Sequence, residues 1–345
     1  MRLLDRVARC HTPLRLALGR APVVEFDVTA PSHYASRVAG CPLRYVLDDD
    51  LTRASAELAF ADGARLAGCL DLLRVPARQL WIEWNDEVHK RVIYATRAAA
   101  EYDAAATGRR VGALLQGSAD GCSAIARTFW ADAAADETSE VTLSPLETHI
   151  DLRGQHADAV DIATVLAGGF ATLTDSADSA MTSLLDHVRF RFDDRWAAYY
   201  RAAATGPETQ RRAVRGSLAA VARDVPMLLG FLLLLSAKDA TRSLAVSRAA
   251  INRKRLAHGR SPLLDHIEVR ASLDAVGDAD SGGSELAGRQ SPRLHHVRGH
   301  LVRRDNHVFW RTPHLRGSGS RGMVHSRTVC LSFVRAGAAM ASPLC

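Results

Sequence analysis

Lysine is nearly missing from this chain of 345 residues. Only Lys90, Lys238 and Lys254 are lysines, and the other 41 of its 44 basic residues are arginines. Paired cysteines are missing too. Cys10, Cys41, Cys69, Cys122, Cys330 and Cys345 form no C-x-x-C pair and no short-range framework, which argues against a zinc ribbon or a disulfide scaffold and sets a reducing cytoplasm as the expected compartment. No apolar run is long enough for a membrane span: the longest, "VPMLLGFLLLLSA" at 225–237, is far short of the roughly 20 residues a helix needs to cross lipid. It reads as a buried core helix with Pro226 breaking or kinking the run that contains it. The opening "MRLLDRVARCHTPLRLALGRAP" has no signal-peptide apolar core, because Asp5 and arginines interrupt it; an Arg-rich organelle-targeting start is the alternative. No G-x-S-x-G, Walker or dinucleotide fingerprint occurs, and neither "GGF" (168–170) nor "GSGSRG" (317–322) follows a strand and opens a helix. No catalytic residue and no cofactor is therefore assigned.

What is present is an ordinary globular balance, 47% apolar and 24% charged, with length for about two domains. The pattern is α+β. Residues 49–70 begin with Asp caps and carry helical spacing. "LWIEW" (80–84), "RRVGALLQ" (109–116), "SAIARTFW" (123–130) and "LETHIDL" (146–152) alternate as strands of an antiparallel meander, with "GSADG" as a hairpin loop. Residues 158–258 read as helices, with Pro207 at a helix start and Gly259 closing the last one, "SRAAINRKRLAHG". Its basic face, Arg253, Lys254, Arg255 and His258, reads as solvated, with nucleic acid as the alternative. "SPLLDHIEVRASL" (261–273) holds one strand, and 274–290 is a Gly/Asp/Ser linker. The domains expected are 1–155 (α+β, with the meander), 156–260 (helical), 261–335 (a basic C-terminal β-unit) and a tail, 336–345.

Acidic residues all but vanish near the C-terminal end. From Arg289 to Arg335 ten arginines face one acid, Asp305, a local balance of +9 in a chain whose net charge is +6, so the rest sums to −3. "VRGHLVRR" and "HVFWR" flank Asp305-Asn306, a two-residue hairpin turn. In the register this turn sets, Val297, Leu301, Val308 and Trp310 cover a core. The other face offers Arg298, His300, Arg304, His307 and Arg311 around Val302 and Phe309. A strand over 323–333 carries Arg327, and a glycine-rich loop carrying His314, Arg316 and Arg321 joins it to the hairpin. Cations around an aromatic group suit a phosphate backbone and an unstacked base, and guanidinium forks beside free backbone N–H groups suit an anion. The competing readings are a solvated Arg-rich face, a metal site on His295, His296 and His300, and an H-N-H type nuclease. The metal reading is weakened because Arg298 stands between two of its ligands and no Cys or Glu joins them. Farther upstream, Glu83 between Trp81 and Trp84 reads as the outward residue of an aromatic strand, with a buried carboxylate of raised pKa as the alternative.

The stretches "LRVPARQLWIEW", "RRVGALLQGSADG", "INRKRLAHGRSPLLDHIEV" and "SPRLHHVRGHLVRRDNHVFWRTPHLRGSGSRGMVHSRTV" resemble, in that order, accessory proteins of phages, prophages and plasmids of proteobacteria. These are relatives of the second type V-A anti-CRISPR protein, which suppresses production of a CRISPR effector. The resemblance implies a protein that recognises RNA, the translation machinery or the effector's nascent chain, binding being favoured over catalysis; a metal-dependent nuclease and a non-catalytic phage structural or assembly protein are the alternatives. It also implies that the meander, through Trp81, Glu83 and Trp84, receives a peptide as an added strand.

Overall fold

A computed structural model describes residues 2–9, 15–16, 31–61, 63–94, 109–132, 141–154, 162–172, 184–194, scattered positions from 197 to 220, 221–272 except 239, 293–297, 300–304, 307–311, 314–316 and 318–323. In chain order the helices are α1 (Leu3–Ala8), α2 (Pro31–Ala39), α3 (Asp49–Ala61), α4 (Gly63–Ala67), α5 (Asp86–Ile93), α6 (Ile162–Leu166), α7 (Asp224–Ser236) and α8 (Ala249–Ala257). The strands are β1 (Arg15–Leu16), β2 (Leu43–Leu47), β3 (Gln79–Asn85), β4 (Arg109–Gly117), β5 (Ser123–Asp132), β6 (Thr142–Asp151), β7 (Phe170–Ala171), β8 (Val188–Phe192), β9 (Thr241–Val246), β10 (His266–Ala271), β11 (Arg293–Val297), β12 (His300–Arg304), β13 (His307–Arg311), β14 (His314–Arg316) and β15 (Ser318–Met323).

The chain divides into two compact units. One holds residues 1–273 together with 301–310; the other holds 274–300 and 311–345. The first is built on a mixed ten-stranded sheet in the order β7-β8-β6-β5-β4-β3-β2-β10-β9, with β1 lying parallel to β6. Strands β3 to β6 form the antiparallel meander that the alternating sequence implied. Between β4 and β5, Gly121 takes a positive φ of 69° and Asp120 accepts from the Cys122 N–H at 3.0 Å, the local chemistry of a tight turn.

Period-two alternation sorts β3 between two helical layers. Trp81 and Glu83 share a face with Phe129 of β5, which meets Tyr34 of α2 edge-on at 5.4 Å. Gly112 on β4 makes room there, since a Cβ at that position would stand 2.2 Å from Trp81. The opposite face carries Ile82 and Trp84 toward α3, α5 and α7: Trp84 meets His89 of α5, and Tyr45, paired with Ile82, meets Phe231 of α7. Where α7 crosses α3 the backbones nearly touch, because a Cβ on Gly230 would lie 2.3 Å from the Ser55 carbonyl oxygen. Asp48 caps α3 through the Leu51 N–H (2.8 Å), and Asn85 caps α5 through the Glu87 N–H (3.1 Å). Among the described residues no helix is long and apolar enough to cross a membrane.

Several expectations need correction. The stretch from 158 to 258 is not uniformly helical, for β7, β8 and β9 lie in it. In β8, Val188, Phe190 and Phe192 are buried while Arg189 and Arg191 are half-buried, a period-two pattern that an Ala-rich context disguised. Pro226 breaks its run as expected: helix at 221–222 gives way to a turn at Arg223, and α7 starts afresh at Asp224 with Pro226 in its first turn, where its missing N–H has no helical acceptor to lose. Strand β10 belongs to the large sheet rather than to a C-terminal β-unit, pairing parallel with β2 and antiparallel with β9. Residues 314–322, expected as a glycine-rich loop, hold β14 and β15, which flank β11 in a three-stranded sheet of the second unit. Pairing with β11 overrides the weak strand preference of Gly and Ser. Of the strand expected over 323–333, Met323 closes β15 and the remainder lies outside the described residues, as do the linker 274–290, Pro207 and the tail 336–345.

Candidate nucleic-acid interface

Strands β12 and β13 pair with each other as the sequence around Asp305-Asn306 implied, the two turn residues themselves lying outside the described residues. Residues 301–310 of the hairpin belong to the first unit. Val308 packs against its core, Phe309 bridges to Lys238 through the backbone, and Arg303 grips Asp71 with both guanidinium nitrogens at 3.0 and 3.1 Å. One cation of the basic segment is thus already neutralised. Arg304 and His307 stand exposed beside a half-buried Phe309. His300 and Arg311 are placed at the ends of the hairpin strands, His314 and Arg316 on β14, and Arg321 on β15; Arg298 and Arg327 lie outside the described residues. Of the alternative metal ligands, His295 and His296 are neighbours on β11, opposite Arg316 and Leu315 of β14.

A second basic surface is also ordered, and its helix is exposed to solvent as the sequence reading expected. Between Thr241 and Leu264 there are six Arg or Lys and no Asp or Glu. Strand β9 is the edge of the large sheet, and α8 follows it with no buried residue at all. A nine-residue helix is marginal alone in water, so polar clamps hold α8. Asn252 exchanges two hydrogen bonds with the Leu263 backbone (2.9 and 2.7 Å), Arg255 donates to Ser261 O (2.8 Å), and the Arg260 N–H returns to Arg255 O (2.8 Å) past Gly259 at φ 65°. These bonds order the helix and leave its sides uncovered. Arg253, Lys254 and His258 are exposed, and among them Leu244, Ile251 and Leu256 keep 54%, 45% and 61% of their surface in water. Ordered cations interleaved with exposed apolar groups match what a phosphate backbone and its bases or sugars present.

The aromatic strand is no peptide receptor. Trp81, Glu83 and Trp84 are all fully buried, and β3 lies between β2 and β4 with no free edge. Glu83 is not the outward residue expected, nor is its pKa raised. Burial alone would raise it, but the Arg110 guanidinium and the backbone N–H groups of Leu3 (3.1 Å) and Leu4 (2.9 Å) outweigh burial and hold the carboxyl below its ordinary value. Arg2 precedes α1 without capping it by a side chain, so Glu83 supplies that cap from a distant strand and anchors Leu3, Leu4 and Val7 in the core.

The charges elsewhere are largely satisfied. A pocket of about 230 Å³ between β5, β6 and β8 is lined by Arg127, Glu147, Arg191, Phe192, Asp193 and Asp194. Arg127 pairs with Glu147 (2.8 Å) and Asp193 (3.1 Å), and Arg191 with Asp194 (2.9 Å), so its cations meet carboxylates at once. No family model, no curated protein and no solved structure matches this chain.

Proposed function

We propose that this chain is a mobile-element accessory protein that binds RNA, or a closely related phosphate polyanion, without cleaving it. In this reading it acts as an anti-CRISPR-like inhibitor or regulator, with an effector's message or nascent chain as the physiological target. The observation that carries the binding part is the run from β9 through α8, where residues 241–264 hold six Arg or Lys and no acid and Leu244, Ile251 and Leu256 are exposed in the same run; Asp265 and Glu268 border it. Arg304 and His307 on the hairpin add to the same chemistry. The regulatory part rests on the resemblance of the quoted stretches to relatives of the second type V-A anti-CRISPR protein.

Binding of labelled single-stranded RNA, duplex RNA and DNA, measured from 50 to 200 mM salt, tests the reading. If six or more phosphates are engaged, affinity falls by about 10³-fold or more over that range. Reversing Arg253, Lys254 and Arg260 to Glu lowers the log–log salt slope by about three, roughly one per lost phosphate contact, and leaves the circular dichroism unchanged. Reversing Arg298, Arg304 and Arg311 measures the share of the C-terminal segment. Retention that survives both triple reversals overturns the proposal, and metal-dependent, chelator-sensitive cutting of the same substrates replaces it with a nuclease.

A further inference from the structure

One cluster of ligating side chains is used by nothing described so far. It lies on the other face of β3 from Glu83. Asp86 and His89 stand one turn apart on α5, and Asp224 opens α7, so the fold alone brings the third residue to the first two. One ligand atom from each lies within 4.8 Å of the others. The His89 ring is wedged beside Phe60 and Trp84, with 1% of its side chain exposed. Its Nδ1 faces Asp86 Oδ1 at 3.9 Å and Asp224 Oδ1 at 3.8 Å, too far for a hydrogen bond to either. Neither ring nitrogen has a hydrogen-bond partner; the Arg223 backbone comes close to the ring without reaching bonding geometry. A buried ring fixed between two carboxylate oxygens and bonded to neither is a ligand set lacking its centre.

We propose that Asp86, His89 and Asp224 bind a first-row transition-metal dication, Zn²⁺ or Co²⁺ in type, which ties α5 to α7 and keeps a fourth coordination position for water. The ligand types favour such an ion, since imidazole nitrogen with carboxylate oxygen suits this class and calcium and magnesium prefer oxygen throughout. Charge discriminates between classes of ion. The groups facing the cluster are cationic: Lys90 Nζ sits 2.9 Å and Arg109 3.1 Å from Asp86 Oδ2, and Arg223 adjoins Asp224 in the chain. They offset the two carboxylates and oppose any dication, most of all a hard ion that relies on piled negative charge alone, whereas a transition-metal ion gains the bond to imidazole nitrogen besides. Lys90 and Arg109 also occupy Asp86 Oδ2 and leave Oδ1 turned toward the ring, the usual work of groups that orient a ligand from outside the coordination sphere. Size is compatible too. Bonds of about 2.0–2.1 Å to a tetrahedral ion place ligand atoms roughly 3.4 Å apart, so each 3.8–3.9 Å gap closes by a few tenths of an ångström on binding.

The full chain, stripped with chelator and dialysed, is titrated with Co²⁺ while its visible d–d bands are recorded, and with Zn²⁺ and Mg²⁺ in parallel. The expected result is one Co²⁺ per chain with bands typical of nitrogen and oxygen ligands, displaced by Zn²⁺ and unaffected by Mg²⁺. Asp224→Asn, nearly identical in shape, and His89→Phe each weaken Co²⁺ binding by at least about tenfold, while the melting temperature without metal stays within a few degrees. A third variant, with His295, His296 and His300 all changed to Ala, keeps the spectrum. The proposal is overturned if no spectrum develops, if it survives Asp224→Asn and His89→Phe, or if only the triple alanine variant removes it.

Discussion

Two ionisable side chains are sealed within the same layered body on opposite faces of β3, and they live in opposite circumstances. Glu83 is charged and surrounded: two backbone N–H groups, the Arg110 guanidinium and the Trp81 indole N–H at 3.4 Å all point at it. His89 is neutral and reaches no partner. Even the two adjacent arginines are divided between them, Arg110 turning to Glu83 and Arg109 to Asp86 beside His89. Burial by itself therefore says little about the role of a titratable group. What distinguishes a strut from a vacant ligand is whether the surroundings answer its polarity.

The sharpest way to break this contrast is Glu83→Gln. It removes the charge from a sealed site and strands Arg110, so we expect a loss of about 3–5 kcal/mol in urea unfolding, with a fraying of α1 visible in amide exchange. The same variant has a pH signature. A carboxyl held below its ordinary value of 4.5 adds stability that is complete above that value and is lost as the pH falls through the folded pKa. Wild type should weaken as the pH drops below about 4.5 while Glu83→Gln responds less, because its side chain cannot take up the proton. His89→Phe without metal should cost no more than about 1 kcal/mol, since it replaces an unanswered polar ring with an apolar one of similar size. A loss as large as that of Glu83→Gln would show that His89 is bonded after all. The smallest effect belongs to Asp71→Asn at the hairpin. The Arg303–Asp71 pair is exposed, and its removal should cost at most about 1 kcal/mol, while polyanion affinity rises slightly as Arg303 is released.

The sequence was most readable where an apolar run is bounded by turn residues. β3 to β6 and β10 lay open to it in that way, although β3 and β4 are buried on both faces instead of alternating, and α3 because Asp residues mark its start. The reading failed where context overrode pattern. β8 alternates cleanly yet sits among Ala-rich stretches, and β9 shows no alternation because, at the sheet edge, residues of both its faces are exposed. α1 went unrecognised for a related reason. Asp5 and Arg6 interrupt its apolar residues and are themselves buried, which no hydropathy pattern anticipates. At the candidate interface the cations of α8 were plain to see, but their exposure depends on clamps such as Asn252 to Leu263 that only the fold displays. The Asp86–His89 spacing was likewise available, whereas Asp224 reaches it only through the packing of α7.

Gly230 gives that packing a practical use. With no side chain between α7 and the Ser55 carbonyl, the two helices rest at their closest approach, and Asp224 lies less than two turns upstream on the same rod. A methyl group introduced there would act as a shim, levering the rod outward and widening the gap in front of His89. One buried position, remote from every ligand, thus offers a mechanical dial on how firmly an ion would be held.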